Sequence, residues 1–95
     1  MKKYEVMFII NSTIEEDAKT ALVEMAQEVI AADGEVIKVD LLGNKKLAYP
    51  IEKRNDGYYV LITFKAGKDL PKELDRRFRI SENIMRHLIT VQEGK

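Results

Sequence analysis

Apolar and polar positions along this chain switch between a period of two and a period of 3.6, and the switches predict its elements. Tyr4 to Ile10, YEVMFII, is apolar on both parities after Glu5, the pattern of a strand buried on both faces. Asn11-Ser12-Thr13 stops that strand and offers side-chain oxygens to a helix, with Ser12-x-x-Glu15 and Thr13-x-x-Glu16 each matching a capping box. Ala18, Leu22, Met25 and Val29 then form one helical stripe, widened by Ala21, Ala26 and Ile30, while Lys19, Glu24, Gln27 and Glu28 fall mostly on the other side. Asp33-Gly34 ends this helix, with glycine suited to a left-handed position after the last turn.

Glu35 to Leu42 alternates imperfectly and predicts a half-exposed strand that continues, across a bulge near Gly43-Asn44, into Lys45 to Tyr49. Pro50 cannot donate to a ladder, which puts this strand at a sheet edge. Asn55-Asp56-Gly57 predicts a reversing turn, and Tyr58 to Phe64, YYVLITF, is a second strand apolar on both parities. Asp69-Leu70-Pro71 opens a short helix with buried Leu74 and Phe78, outward Lys72, Arg76 and Arg77, and Ile80 packed near its end. Ser81-Glu82-Asn83 breaks it, and Ile84 to Val91 is the last strand.

The order β-α-β-β-α-β predicts an α+β fold, the ferredoxin-like sandwich: a four-stranded antiparallel sheet with both helices on one face and the first and third strands central. The two doubly apolar strands are the first and the third, in agreement with that topology. If Val6, Phe8, Ile10, Val60, Ile62 and Phe64 face the helices, then Met7, Ile9, Tyr59 and Leu61 lie on the open face. An uncovered apolar patch there marks a partner surface unless long flanking side chains cover it.

Composition narrows the function classes. Ninety-five residues, 45% hydrophobic and 34% charged, fit one soluble domain spanning residues 1–95. No window reaches the roughly 18 apolar residues of a membrane span, and the N-terminal apolar run is too short for a signal peptide. With no cysteine there is no disulfide framework, and a cytoplasmic setting is expected. The zero net charge is unevenly distributed: residues 5–40 carry nine acids against two bases, and residues 41–65 five bases against two acids. Such asymmetry fits a protein that docks on a polyanion by one side, and equally a domain with ordinary solubilising charge.

Candidate chemistry is sparse. His87 is the single histidine, with no carboxylate or cysteine cluster beside it in sequence, so phosphate contact or half-burial outweighs a metal or general-base role. The five glycines are scattered and form no phosphate-binding loop; Glu15, Glu16 and Asp17 compensate a helix dipole rather than bind metal. Ser12 and Ser81 have no base at motif spacing, and Asn11-Ser12-Thr13 lacks the glycine or arginine of an acylphosphatase-like cradle. Neither a catalytic residue nor a cofactor is expected. Lys45-Lys46, Lys53-Arg54, Arg76-Arg77-x-Arg79 and Arg86-His87, interleaved with Tyr4, Tyr49, Tyr58 and Tyr59, suit phosphate binding with stacking, as in RNA recognition; each pair alone is equally a solvated surface. No strand carries the aromatic pattern of an RRM.

Three stretches, MKKYEVMFIIN, GNKKLAYPIEKRNDGYYVLITFKA and FRISENIMRHLITV, cover most of the chain in order. Together they resemble the bacterial ribosomal small-subunit protein S six family, most specifically at Leu47-Ala48-Tyr49-Pro50-Ile51 and Arg79-Ile80-Ser81-Glu82-Asn83. The resemblance implies a non-enzymatic component of the small ribosomal subunit. It would bind the central domain of small-subunit ribosomal RNA together with ribosomal protein S eighteen, without cofactor, metal or membrane. By the same resemblance RNA contact is expected at Lys2, Lys3, Arg79, Arg86 and His87, and partner contact at Leu47, Tyr49 and Ile51. Lys45, Lys46, Lys53 and Arg54 stay undecided between the two. The alternative from another class is a ligand-sensing or homodimerising ferredoxin-like module.

Overall fold

The first and third strands pair without interruption, and every other element is laid against them. In the computed structural model, which describes residues 2–51 and 54–92 and the side chains of residues 2–44 and 57–92, the order is β1 (Lys2–Ile10), α1 (Glu16–Asp33), β2 (Gly34–Ile51), β3 (Arg54–Ala66), α2 (Leu70–Ile80) and β4 (Ile84–Gln92). The strands form one antiparallel sheet in the order β2-β3-β1-β4, the ferredoxin-like arrangement expected, with the two doubly apolar strands central. The register runs from Lys2 opposite Ala66 to Ile10 opposite Tyr58 with no shift.

Side chains alternate across a strand, so one parity of each central strand faces the helices. Val6, Phe8, Ile10, Val60, Ile62 and Phe64 are wholly buried there, as expected, and α1 and α2 contribute Ala26, Ile30, Leu74 and Phe78 from above. Phe8 meets Phe78 at a ring-centroid distance of 4.7 Å. Tyr4 stacks on Phe64 at 5.5 Å and is buried, so it belongs to the core and is not available for stacking on a base.

Several local expectations are corrected. The helix starts later than the capping boxes place it: α1 begins at Glu16 with Glu15 as a cap that makes no side-chain bond. Asn11 Oδ1 accepts instead from the Thr13 N–H and hydroxyl at 3.0 and 2.8 Å, an Asx turn that displaces the helix start. Acidic Glu16 and Asp17 in the first turn still oppose the dipole. The buried stripe of α1 is Lys19, Val23, Ala26 and Ile30, rotated from the one expected, while Leu22, Met25 and Val29 pack only partly and Ala21 is exposed. Lys19, expected outside, lays its stem on the core, with its Nζ 5.1 Å from the Tyr58 ring centroid and 3.7 Å from Glu16 Oε1. Ile80, expected to pack, is 68% exposed.

Two glycines have other reasons than those expected. Gly34 is extended (φ −157°) rather than left-handed; a Cβ there would overlap the Lys65 carbonyl oxygen, so the ladder itself excludes a side chain. Asn55-Asp56-Gly57 is not the turn. All three residues lie within β3, which starts at Arg54, and Gly57 sits opposite Lys45. A Cβ on Gly57 would overlap Ile9 Cγ2. The bulge near Gly43 is present: the register shifts between Leu41 and Gly43, and Gly43 adopts φ 82°.

On the open face Met7, Tyr59 and Leu61 are half-buried, but Ile9, expected to be uncovered, is only 4% exposed. Its burial beside Gly57 shrinks the apolar patch foreseen there, which leaves Leu88 of β4, among the described residues, as the most exposed apolar side chain on that face, at 56%.

One carboxylate gathers two of the arginines on the surface of α2. Glu73 accepts from Arg76 Nε and Nη2 at 3.2 and 2.8 Å and from Arg77 Nε at 3.0 Å. Hydrogen bonds from Arg76 and then Arg77 hold the Glu73 carboxyl at about 2, below its ordinary 4.5.

Gly57→Ala is expected to destabilise the fold by about 1–3 kcal/mol through overpacking, and Ile9→Ala in the same chain to remove most of that increment. Urea unfolding of the two single variants and the double variant measures this, and additive effects would disprove the contact. Because the folded carboxyl of Glu73 titrates below the unfolded one, its stabilisation is complete above about 4.5 and lost as pH falls towards about 2. Urea midpoints of the wild type and Glu73→Gln are therefore expected to differ at neutral pH and converge across that acid window; a pH-independent gap would refute the linkage.

Candidate nucleic-acid interface

Charge is sorted by helix. α1 carries five acidic residues against the single Lys19, whereas α2 carries Lys72, Arg76, Arg77 and Arg79 against Glu73 and Asp75. α1 lies against β2 and β3 and α2 against β4, so the acidic and basic helices occupy opposite flanks of the sheet. The charge of the two helices is thus sorted in space, whereas the basic stretch 41–65 lies on β2 and β3, on the same flank as the acidic α1.

The basic flank holds most of the residues expected at RNA, but not as one cluster. Asp75, on α2, joins two of them: its Oδ2 receives Arg79 Nε at 2.9 Å and its Oδ1 lies 2.5 Å from His87 Nε2. The His87 ring also packs edge-on against Phe78 at 5.3 Å, and its side chain is 17% exposed. His87 stands opposite Phe8 on the helix side of β4, so its half-burial follows from the strand register. The hydrogen bond from His87, with Arg79 beside it, holds the Asp75 carboxyl below the usual carboxylate range. Arg79 is 74% exposed even while bonded, which leaves its guanidinium open to a phosphate. Arg86, next in sequence to His87, points to the opposite sheet face, across from Ile9.

Lys2 and Lys3 are exposed at the other end of β1, opposite Ala66 and Lys65. At about 3.3 Å per residue they stand roughly 20 Å along the strand from the Arg79–His87 end. Cations separated by that span suit an extended polyanion rather than one compact phosphate ligand.

Asp75 is the member of this site that the sequence reading missed. The Asp75-x-x-x-Arg79 spacing was visible as a helical pair, but the bond to His87 joins a helix to a strand and exists only in the fold. Of the remaining expected residues, Leu47, Tyr49 and Ile51 lie on β2, an edge strand, and their side chains fall outside the described residues, as do those of Lys45, Lys46 and Arg54 and the whole of Lys53. Among the described residues no group of three or more His, Asp or Glu side chains is arranged to hold a metal ion, and no helix is long and apolar enough to cross a membrane.

Comparison with known proteins places the fold and the family. The family model described as Ribosomal protein S6 matches residues 3–91. The chain is 46% identical over 91 residues to the small ribosomal subunit protein bS6 of Clostridioides difficile, an alignment covering 96% of this chain and 99% of the relative. It is 52% identical over 90 residues to that of Clostridium acetobutylicum, covering 94% and 95%. Among solved structures it superposes on the 30S ribosomal protein S6 of Thermotoga maritima with a TM-score of 0.91 at 32% identity, covering 96% of this chain and 87% of that one. With a matching family model over nearly its whole length and this fold, the chain belongs to the ribosomal protein S6 family.

Proposed function

We propose that the chain acts as a single RNA- and protein-binding domain of the small ribosomal subunit, binding the central domain of small-subunit ribosomal RNA jointly with ribosomal protein S eighteen. Its family is one of structural ribosomal proteins, not enzymes, and belongs to the cytoplasmic bacterial ribosome. The observation that carries the RNA reading is the lateral sorting of charge: the basic α2, with Arg79 held on Asp75, lies over β4, while the acidic α1 beside it lies over β2 and β3. Phosphate contacts supply much of the affinity of such proteins, and a flank of this size offers few of them. A second protein that enlarges the cationic surface is therefore expected to tighten binding strongly. The edge position of β2 leaves Leu47, Tyr49 and Ile51 on a strand with one free side, which favours them as partner contacts. Family membership and the burial of Ile9 both favour this reading over a ligand-sensing or homodimerising module.

Filter binding to a central-domain ribosomal RNA fragment over a salt series tests the proposal. Weak binding by the chain alone and much tighter binding with ribosomal protein S eighteen present is the expected result; equal affinity in both cases would overturn joint binding. Arg79→Ala combined with Arg86→Ala is expected to flatten the log–log salt slope by roughly 0.7 to 0.9 for each phosphate that the double variant no longer neutralises. An unchanged slope would remove both residues from the interface.

A further inference from the structure

On the flank away from the basic helix, a cleft of about 300 Å³ opens between α1 and the edge strand β2. Val23, Val39 and Tyr58 form its apolar floor, and Leu41 stands at its lip, 58% exposed. Its rim is acidic, with Glu16 and Glu24 on α1 and Glu28 one helical turn further along. Lys19, the one cation among the described residues that line the cleft, is already matched by Glu16 and the Tyr58 ring. Glu24 and Glu28 make no ion pair with another described residue.

This chemistry excludes a nucleic-acid occupant, because unpaired carboxylates beside the cleft repel phosphate. It suits a polypeptide that brings an apolar side chain for Leu41 and cations for the rim. A protein that binds RNA alongside this chain must itself carry lysine and arginine to reach phosphate. The cleft also lies on β2, the strand whose later residues Leu47, Tyr49 and Ile51 are the expected partner contacts. We propose that the α1–β2 cleft docks a basic, apolar-anchored segment of the protein partner, so that the acidic helix α1 is a protein-binding surface and the basic helix α2 an RNA-binding one. The proposal rests on the reading of joint RNA binding and extends the partner contact to residues that neither the resemblance nor the comparisons assign.

Calorimetric titration of the full chain with purified ribosomal protein S eighteen, at low and at physiological salt, tests it. Leu41→Asp is expected to weaken binding about tenfold, the worth of partly burying one leucine side chain. Glu24→Lys with Glu28→Lys is expected to weaken it about fivefold at low salt and less at higher salt, where exposed pairs are screened. All three positions are exposed, and urea unfolding of each variant checks that the fold is kept. Wild-type affinity in both variants would overturn the cleft while leaving the partner reading intact. Failure of the wild-type chain itself to bind would overturn both. Weakened binding of either variant to the RNA fragment in the partner's absence would also overturn the proposal, by making the cleft an RNA site.

Discussion

The pairing of β1 with β3 is the constraint on which the rest depends. Nine consecutive residue pairs, from Lys2–Ala66 to Ile10–Tyr58, align without a bulge. One parity of both strands therefore faces the helices in register, and Val6, Phe8, Val60, Ile62 and Phe64 form a continuous apolar floor with no exposure. A slip of one residue would turn that floor to the other face. Gly57 and Ile9 mark how tightly the register is held, since the ladder leaves no room for a methyl group between them. The edge strands are laid against this pair under looser terms: β2 reaches its length by shifting register three times, and β4 by one shift near its start.

That arrangement also sorts the chemistry. Each helix lies over a different flank of the sheet, so the acidic α1 covers one and the basic α2 the other. Among the described residues neither flank carries a cluster of metal-ligating side chains. The basic one is a set of cations tethered to fixed carboxylates, Glu73 for Arg76 and Arg77 and Asp75 for Arg79 and His87. Exposed pairs of this kind contribute little stability. They do hold long side chains in place, which lowers the ordering cost of meeting a phosphate.

Much of this was legible in the sequence because it follows from local pattern. Two strands apolar on both parities named the central pair, and the order of elements named the fold. The Asp69-Leu70-Pro71 start of α2 and the edge position of β2 follow from proline's fixed φ and missing N–H, and the bulge at Gly43 from glycine's access to positive φ. The misreadings share a different physical cause. α1 starts at Glu16, beyond an Asx turn at Asn11 that is as plausible chemically as a start at Ser12 or Thr13, and Asn55-Asp56-Gly57 reads as a turn although Gly57 is there for a side chain on a neighbouring strand.

What the sequence by itself determined, then, was everything carried by periodicity and backbone restriction: the element order, the central strands, the buried face and the family. What only the tertiary structure decided was which side chains meet across elements. The Asp75–His87 bond, the packing of Lys19 on Tyr58, the burial of Ile9 and the cleft beside Leu41 all join residues from different elements. No local period encodes such meetings, because they depend on how far each helix is rotated and where each strand register falls. The rotation of α1 was settled by packing against the sheet, which buried Lys19 and Val23 in place of Leu22 and so shaped the cleft.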